Sequence, residues 1–221
     1  MAGKGLKHNP LADINLIRDN LRDRYRTVFT VIKELIQNAD DAPDSTCLEF
    51  GWIPNVREAE HSLLRGPVLF AVNDGQFTRK DAEAIRQMGL SNKPAEKSTI
   101  GKFGLGMKSV FHLCEAAFYL ASEDSVTGLS PEERMDILNP WSGDDESWCN
   151  PHGDWDQFSE RDQAALRDSL ADVLDIPRWF CLAIPLRKKS HRQTVNGGLC
   201  DPINAYYPGD NPAFHKDILS K

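Results

Sequence analysis

From Leu11 to Ala42 the apolar residues recur at helical spacing, with Val28, Val31, Ile32, Leu35 and Ala39 forming one stripe, and Pro43 marks the stop. The pattern predicts two helices hinging near Arg22 to Arg26. A strand follows at Cys47 to Trp52, then a loop containing Pro54, then an apolar run from Val68 to Val72 that empties into the turn Asn73-Asp74-Gly75. Thr78 to Met88 reads as a helix with Thr78 as its N-cap. Gly89 to Ile100 is polar, carries Pro94 and reads as a mobile loop. Beyond it a helix is expected from near Gly104 through Val110 and Phe111, and a strand from Ala116 to Ala121. Ser122 to Gln157 is acidic and Trp-rich, with Pro131, Pro140 and Pro151, and its weak periodicity predicts an insertion at the domain edge. Ser159 with Asp162 forms an S-x-x-D start for a helix reaching Leu174, and Trp179 to Leu186 reads as a strand. The expected organisation is one domain over residues 1–190, with the insertion at 122–157, and a polar tail or the start of a following segment at 191–221.

Composition narrows the classes. Over 221 residues, 40% apolar and 27% charged content is that of an ordinary globular protein. A formal net charge of −7 argues against a surface built mainly for nucleic acid. Five cysteines, an odd number scattered without a C-x-x-C pair, suggest neither a disulfide framework nor a zinc site, and a reducing cytoplasm fits them best. No run approaches the ~18 apolar residues of a membrane span.

The chemistry gathers in three stretches. In ELIQNADDA, Glu34, Asn38 and Asp41 fall at i, i+4 and i+7. At ~100° per residue they lie within about 60° of one another, beside the apolar stripe. An amide oxygen there can ligate Mg²⁺ beside phosphate oxygens and a nearby Glu can take a proton from water; a merely solvated polar stripe is the competing reading. In LFAVNDGQFT an apolar strand delivers Asn73, Asp74 and Gly75 to a turn, where a carboxylate can accept from an exocyclic amine and Gly permits close approach. In TIGKFGLGMKS, Gly101, Gly104 and Gly106 stand among Lys102 and Lys108, yet the stretch fits neither the P-loop nor the dinucleotide fingerprint.

Taken in order, ELIQNADDA, VNDGQFT, a polar loop and IGKFGLGMKSVFHL resemble the GHKL ATPases, most closely the sacsin-type and ninety-kilodalton heat-shock-chaperone branch. The resemblance runs from about Leu11 to Trp141 and resumes faintly at Ile184 to Arg187. It implies an α/β Bergerat fold: a two-layer sandwich of helices on a mixed, largely antiparallel sheet. It further implies ATP and Mg²⁺ as ligands. Glu34 would be the general base, Asn38 the Mg²⁺ ligand through the ATP phosphates, and Asp41 a polar contact. Asp74 would read the adenine amine with Asn73 in reserve, flanked by Gly75 and Phe77. Ser91 belongs to a lid spanning Gly89 to Ile100, and Lys102, Phe103, Gly104, Leu105, Gly106 and Met107 would wrap the phosphates at a helix start.

The wording departs from the family in two places. Its D-x-G-x-G frame falls here on Asn73 and Gly75, with Phe77 replacing the second Gly, and the late strand WFCLAIPLR lacks the Thr that contacts the adenine-binding Asp in the chaperone branch. The implied function is a slow ATPase domain of a chaperone-like or sacsin-like protein. ATP would close the lid to drive conformational change or dimerisation, with protein partners or further domains. The alternative is a nucleotide-gated interaction module without significant turnover. Lys108 reads as solvated rather than as a second phosphate contact. The cluster Cys149, His152, Asp154 and Asp156 reads as a structural or partner-binding loop rather than a metal site, and Trp141, Trp148 and Trp155 as residues pinning the insertion.

Overall fold

The computed structural model describes residues 14–15, 18–19, 28–86, 107–142, 153–171, 177–191, 199, 206–214 and 216. Helix α1, Val28–Asp40, buries Val31, Leu35 and Ala39, a stripe at i, i+4 and i+8, while Ile36 on its other side is 49% exposed. Its chain reverses at once, and β1, Leu48–Ile53, pairs antiparallel with β2, Val68–Asn73. After the turn come the two-residue β3, Phe77–Thr78, and α2, Arg79–Arg86. The Thr78 hydroxyl accepts the Asp81 N–H while the Asp81 carboxylate accepts the Thr78 N–H, the reciprocal cap that starts α2 where the sequence predicts it.

Strand β4, Ala117–Ala121, is buried throughout, β5 is Val126–Thr127, and β6 is Met135–Leu138. Helix α3, Glu160–Leu170, begins at the Ser159 cap, and β7, Phe180–Pro185, closes the sheet. The main sheet is five-stranded in the order β1-β2-β7-β4-β6 with every pair antiparallel; β3 and β5 form a separate parallel pair. The architecture is α/β; among the described residues the expected mixed, largely antiparallel sheet takes the form of an antiparallel five-stranded sheet and a separate parallel pair.

The three central strands are apolar at nearly every position, so both faces of the sheet are covered. Register sorts them: Leu48, Ala71, Asn73, Phe180, Leu182 and Tyr119 stand opposite one another and share one face, while Phe70, Phe118 and Ala183 share the other. Residues 59–65 and 153–171 cover that second face, where His61 and Phe158 meet the Phe118 ring at 5.0 and 4.7 Å. Gly51 stands opposite Phe70 because a Cβ there would lie 1.9 Å from the phenyl ring.

Three expectations change. The helix expected from Gly104 appears, within the described residues, as a 3₁₀ segment, Met107–His112. The stretch read as an insertion contributes β6, an edge strand whose half-buried residues carry little periodic signal. The stretch read as a polar tail or the start of a following segment contributes Leu199 and Phe214 to the core, each at 5% exposure or less. Trp141 and Trp155 are buried, at 0% and 3%, and Trp148 lies outside the described residues, as do Cys149 and His152. Among the described residues no helix is long and apolar enough to cross a membrane.

Candidate functional site

Where α1 crosses the first face of the sheet, the small residues Ala39, Ala42 and Ala71 leave a cleft. Its floor is apolar, made by Leu35, Leu48, Phe77, Phe180, Leu182 and Met107; its polar edge is Asn38, Asn73 and Gln76. The register explains the floor, because Leu48, Ala71, Asn73, Phe180 and Leu182 are the cross-strand neighbours on that face. The Phe77 ring stacks on Phe180 at 4.7 Å and 26° and closes one side. Met107, the first described residue after the glycine-rich stretch, closes another through the packing of segment 107–112 on α1.

Asn38 carries the feature that points outward. It is half-buried on the cleft wall, yet its Nδ2 is buried without a hydrogen-bond partner among the described residues. A buried amide that is not hydrogen-bonded costs ~1–3 kcal/mol, and such groups are rare in folded chains. A polar ligand in the cleft would satisfy it.

The turn is built differently from the expectation. Asn73 lines the cleft, and its Oδ1 accepts the Gly75 N–H at 3.0 Å. The Asp74 carboxylate faces the other way, accepting the N–H groups of Thr46 at 2.7 Å and Cys47 at 2.8 Å and the Thr46 hydroxyl. It is not among the cleft-lining residues. Burial alone would raise this carboxyl; the bonds from Thr46 and Cys47 outweigh it and hold the pKa down at about 2. A zipper continues the same join. Gln76 N–H donates to Pro43 O at 2.9 Å, and the Gln76 amide donates to Asp44 at 2.6 Å. Arg178 donates to Asp74 O at 2.7 Å and Asp44 O at 3.0 Å. Gly75 serves this join too, since a Cβ would lie 2.6 Å from Ala42 Cβ; the close approach it permits is that of the chain itself.

Glu34 is half-buried one turn before Asn38, and Asp41 is exposed at the helix end, its N–H donating to Gln37 O at 2.9 Å; neither lines the cleft. Ser91, Lys102, Phe103, Gly104, Leu105 and Gly106 lie outside the described residues, with the whole of Gly89 to Ile100. The structure thus brings Asn38, Asn73, Phe77 and Met107 together, sets Gly75 behind them, and turns Asp74 away. Lys108, expected in solvent, is 8% exposed.

Sequence reasoning missed a second polar centre. Glu115 and Arg187 are each wholly buried and ion-paired. The available signal was a charge inside the apolar run VFHLCEAAFYL; Arg187 closes FCLAIPLR next to Lys188 and Lys189 and gave none.

Two comparisons place these features. A family model described as the Sacsin domain matches residues 13–148, so it spans α1, the turn, the glycine-rich stretch and β6. Human sacsin (Homo sapiens) is 33% identical over 111 residues, which is 47% of this chain and 2% of that protein.

Proposed function

The chain belongs to the sacsin domain family, and on that premise we propose that the cleft over the sheet binds an adenine nucleotide with Mg²⁺ and hydrolyses ATP slowly, as the nucleotide-operated module of a chaperone-like protein. One observation carries the reading: among the described residues the Asn38 amide nitrogen is buried and unpartnered, at the polar edge of a small cleft whose floor includes Phe77, Leu182 and Met107. The fold is read as Bergerat-type on the same grounds, an α1 stripe laid across an antiparallel sheet with the slot between them.

The donor set fits the ligand. Mg²⁺, when bound, supplies charge neutralisation on phosphate oxygens. Asn38 would hold it through Oδ1 or donate its Nδ2–H to a phosphate oxygen, and Asn73 would offer its amide group to the base. Asn73 takes the adenine-reading role in place of Asp74, because its side chain faces the slot while the Asp74 carboxylate is engaged by Thr46 and Cys47. Asp74 then acts as the brace that keeps Asn73 in position. Glu34, one turn from Asn38, would accept the proton of an attacking water.

A second reading has its own support. Glu34 does not line the cleft, which favours a module that binds nucleotide and presents a surface to a protein partner without significant turnover. Calorimetric titration with ATP and ADP, with and without Mg²⁺, tests the binding. We expect saturable, Mg²⁺-responsive binding by the chain and at least tenfold weaker binding by Asn38→Ala; absence of binding at millimolar nucleotide would refute the proposal. Phosphate release then separates the two readings. Loss of turnover with retained binding in Glu34→Ala favours the ATPase, and no turnover in the parent chain favours the binding module.

A further inference from the structure

Arg187, just past the end of β7, is 0% exposed and every donor group of its guanidinium is engaged. Nε pairs with Glu115, Nη1 donates to His112 O at 2.8 Å and to Tyr206 O at 3.4 Å, and Nη2 donates to Cys114 O at 2.6 Å and to Phe111 O. The carbonyls of Phe111 and His112 are those that a 3₁₀ segment ending at His112 leaves without partners of its own, and that of Cys114 follows two residues beyond it. Glu115 completes the centre by accepting the Trp141 indole N–H at 3.2 Å and the Leu199 N–H at 3.0 Å. The backbone repeats the connection: Arg187 N–H donates to Leu113 O at 2.6 Å, and Gly209 N–H donates to Arg187 O at 2.9 Å. Above it the His112 ring stacks on Tyr206 at 5.0 Å, and Tyr206 meets Phe214 edge-on.

A buried ion pair recovers little net stability over apolar residues of the same volume, so stability alone does not explain its use. What the pair does is geometric. Its planar fork collects the end of segment 107–112 and the chain at 206 on one residue, which a lysine with three donors on a single nitrogen cannot reproduce. Segment 107–112 carries Met107, a wall of the cleft, and packs on the helix that carries Asn38.

We propose that Arg187, paired with Glu115, is a positioning residue that holds the post-glycine segment 107–112 and the carboxy-terminal segment 206–214 in one arrangement, so that docking of the latter and ligand affinity of the cleft rise and fall together. The affinity half rests on the nucleotide reading above; the structural coupling does not. The test uses the full chain with R187K, which keeps the charge and guards against loss of fold, and E115L/R187M, which removes both charges at similar volume. Hydrogen exchange by mass spectrometry is read at 107–114, at 206–214 and at β2 as a control, alongside ATP titration.

In both variants we expect exchange at the two segments to rise together at least tenfold with β2 unchanged, and ATP affinity to fall at least tenfold. Unchanged exchange at either segment, or a uniform rise that includes β2, overturns the positioning role. ATP affinity within twofold of the parent overturns the link to the cleft. Should the parent chain take up no nucleotide, the proposed function fails and the link to the cleft falls with it, while the exchange pattern still decides the coupling of the two segments.

Discussion

Two polar regions sit within the apolar body of this domain, and they are built on opposite principles. Around Arg187 and Glu115 the polar groups are matched: an ion pair, four backbone carbonyls, an indole N–H and a backbone N–H close on one another at 0% exposure. At the cleft, Asn38 leaves an amide nitrogen buried and without a partner among the described residues. A saturated network fixes the arrangement of the chain, because every alternative leaves a charge or carbonyl stranded. An unsaturated one leaves a buried polar group open to a partner. The first is architecture; the second is the site of the proposed recognition.

Breaking the saturated region has the largest expected effect. Arg187→Ala or Glu115→Ala strands the surviving charge and should destabilise by about 3–5 kcal/mol in denaturant titrations, whereas E115L/R187M removes both charges, leaves only neutral carbonyl and N–H groups unpaired, and should cost less than the two single variants added together. Additive losses would show that the pair is not acting as a unit.

Acid gives the next effect. Burial, reinforced by the Arg187 guanidinium, lowers the His112 pKa to about 4 from its ordinary 6.5. The unfolded chain therefore binds this proton more readily than the folded one, so the contribution of neutral His112 is complete above pH 6.5 and is lost as pH falls toward 4. The loss should be on the order of 2 kcal/mol, read from denaturant midpoints across that window, and His112→Phe should flatten it. Asp74 acts below that range, since its lowered pKa keeps its bonds to Thr46 and Cys47 intact above pH 3.8 and surrenders them toward pH 2.

The smallest stability effect and the sharpest contrast come from the unsaturated region. Asn38→Leu removes the unpartnered amide at similar volume and should leave the thermal midpoint unchanged or raised, within about 1 kcal/mol, while nucleotide binding is lost. A marked loss of stability would mean that the amide already has a structural role.

Most elements were legible from local pattern. The α1 stripe, the continuous apolar runs of β2, β4 and β7, and the Thr78 and Ser159 caps all depend on neighbours within a few residues, and the structure places each close to its expected bounds. The cap at Ser159 also shows where local reading stops. Asp162 was legible as the fourth residue of S-x-x-D, but the same carboxylate accepts the N–H groups of Glu60 at 2.6 Å and His61 at 2.9 Å, about a hundred positions away. Strand β6 was read as insertion because four residues at a sheet edge, three of them half-buried and only Leu138 buried, give almost no periodic signal.

For the site, the sequence by itself determined the inventory: an Asn on a helix beside an apolar stripe, an Asn-Asp-Gly turn at a strand end, and a glycine-rich stretch after a polar loop. It also determined the order in which they occur, which suffices for the family. Only the tertiary structure decided which side chains share the cleft. A carboxylate at a turn points wherever its donors stand, and the donors of Asp74 are Thr46 and Cys47, 28 and 27 positions earlier. That meeting requires the zipper between residues 43–47 and the turn, and with it the register of β1 on β2; propensity and spacing carry no information about contacts at that separation.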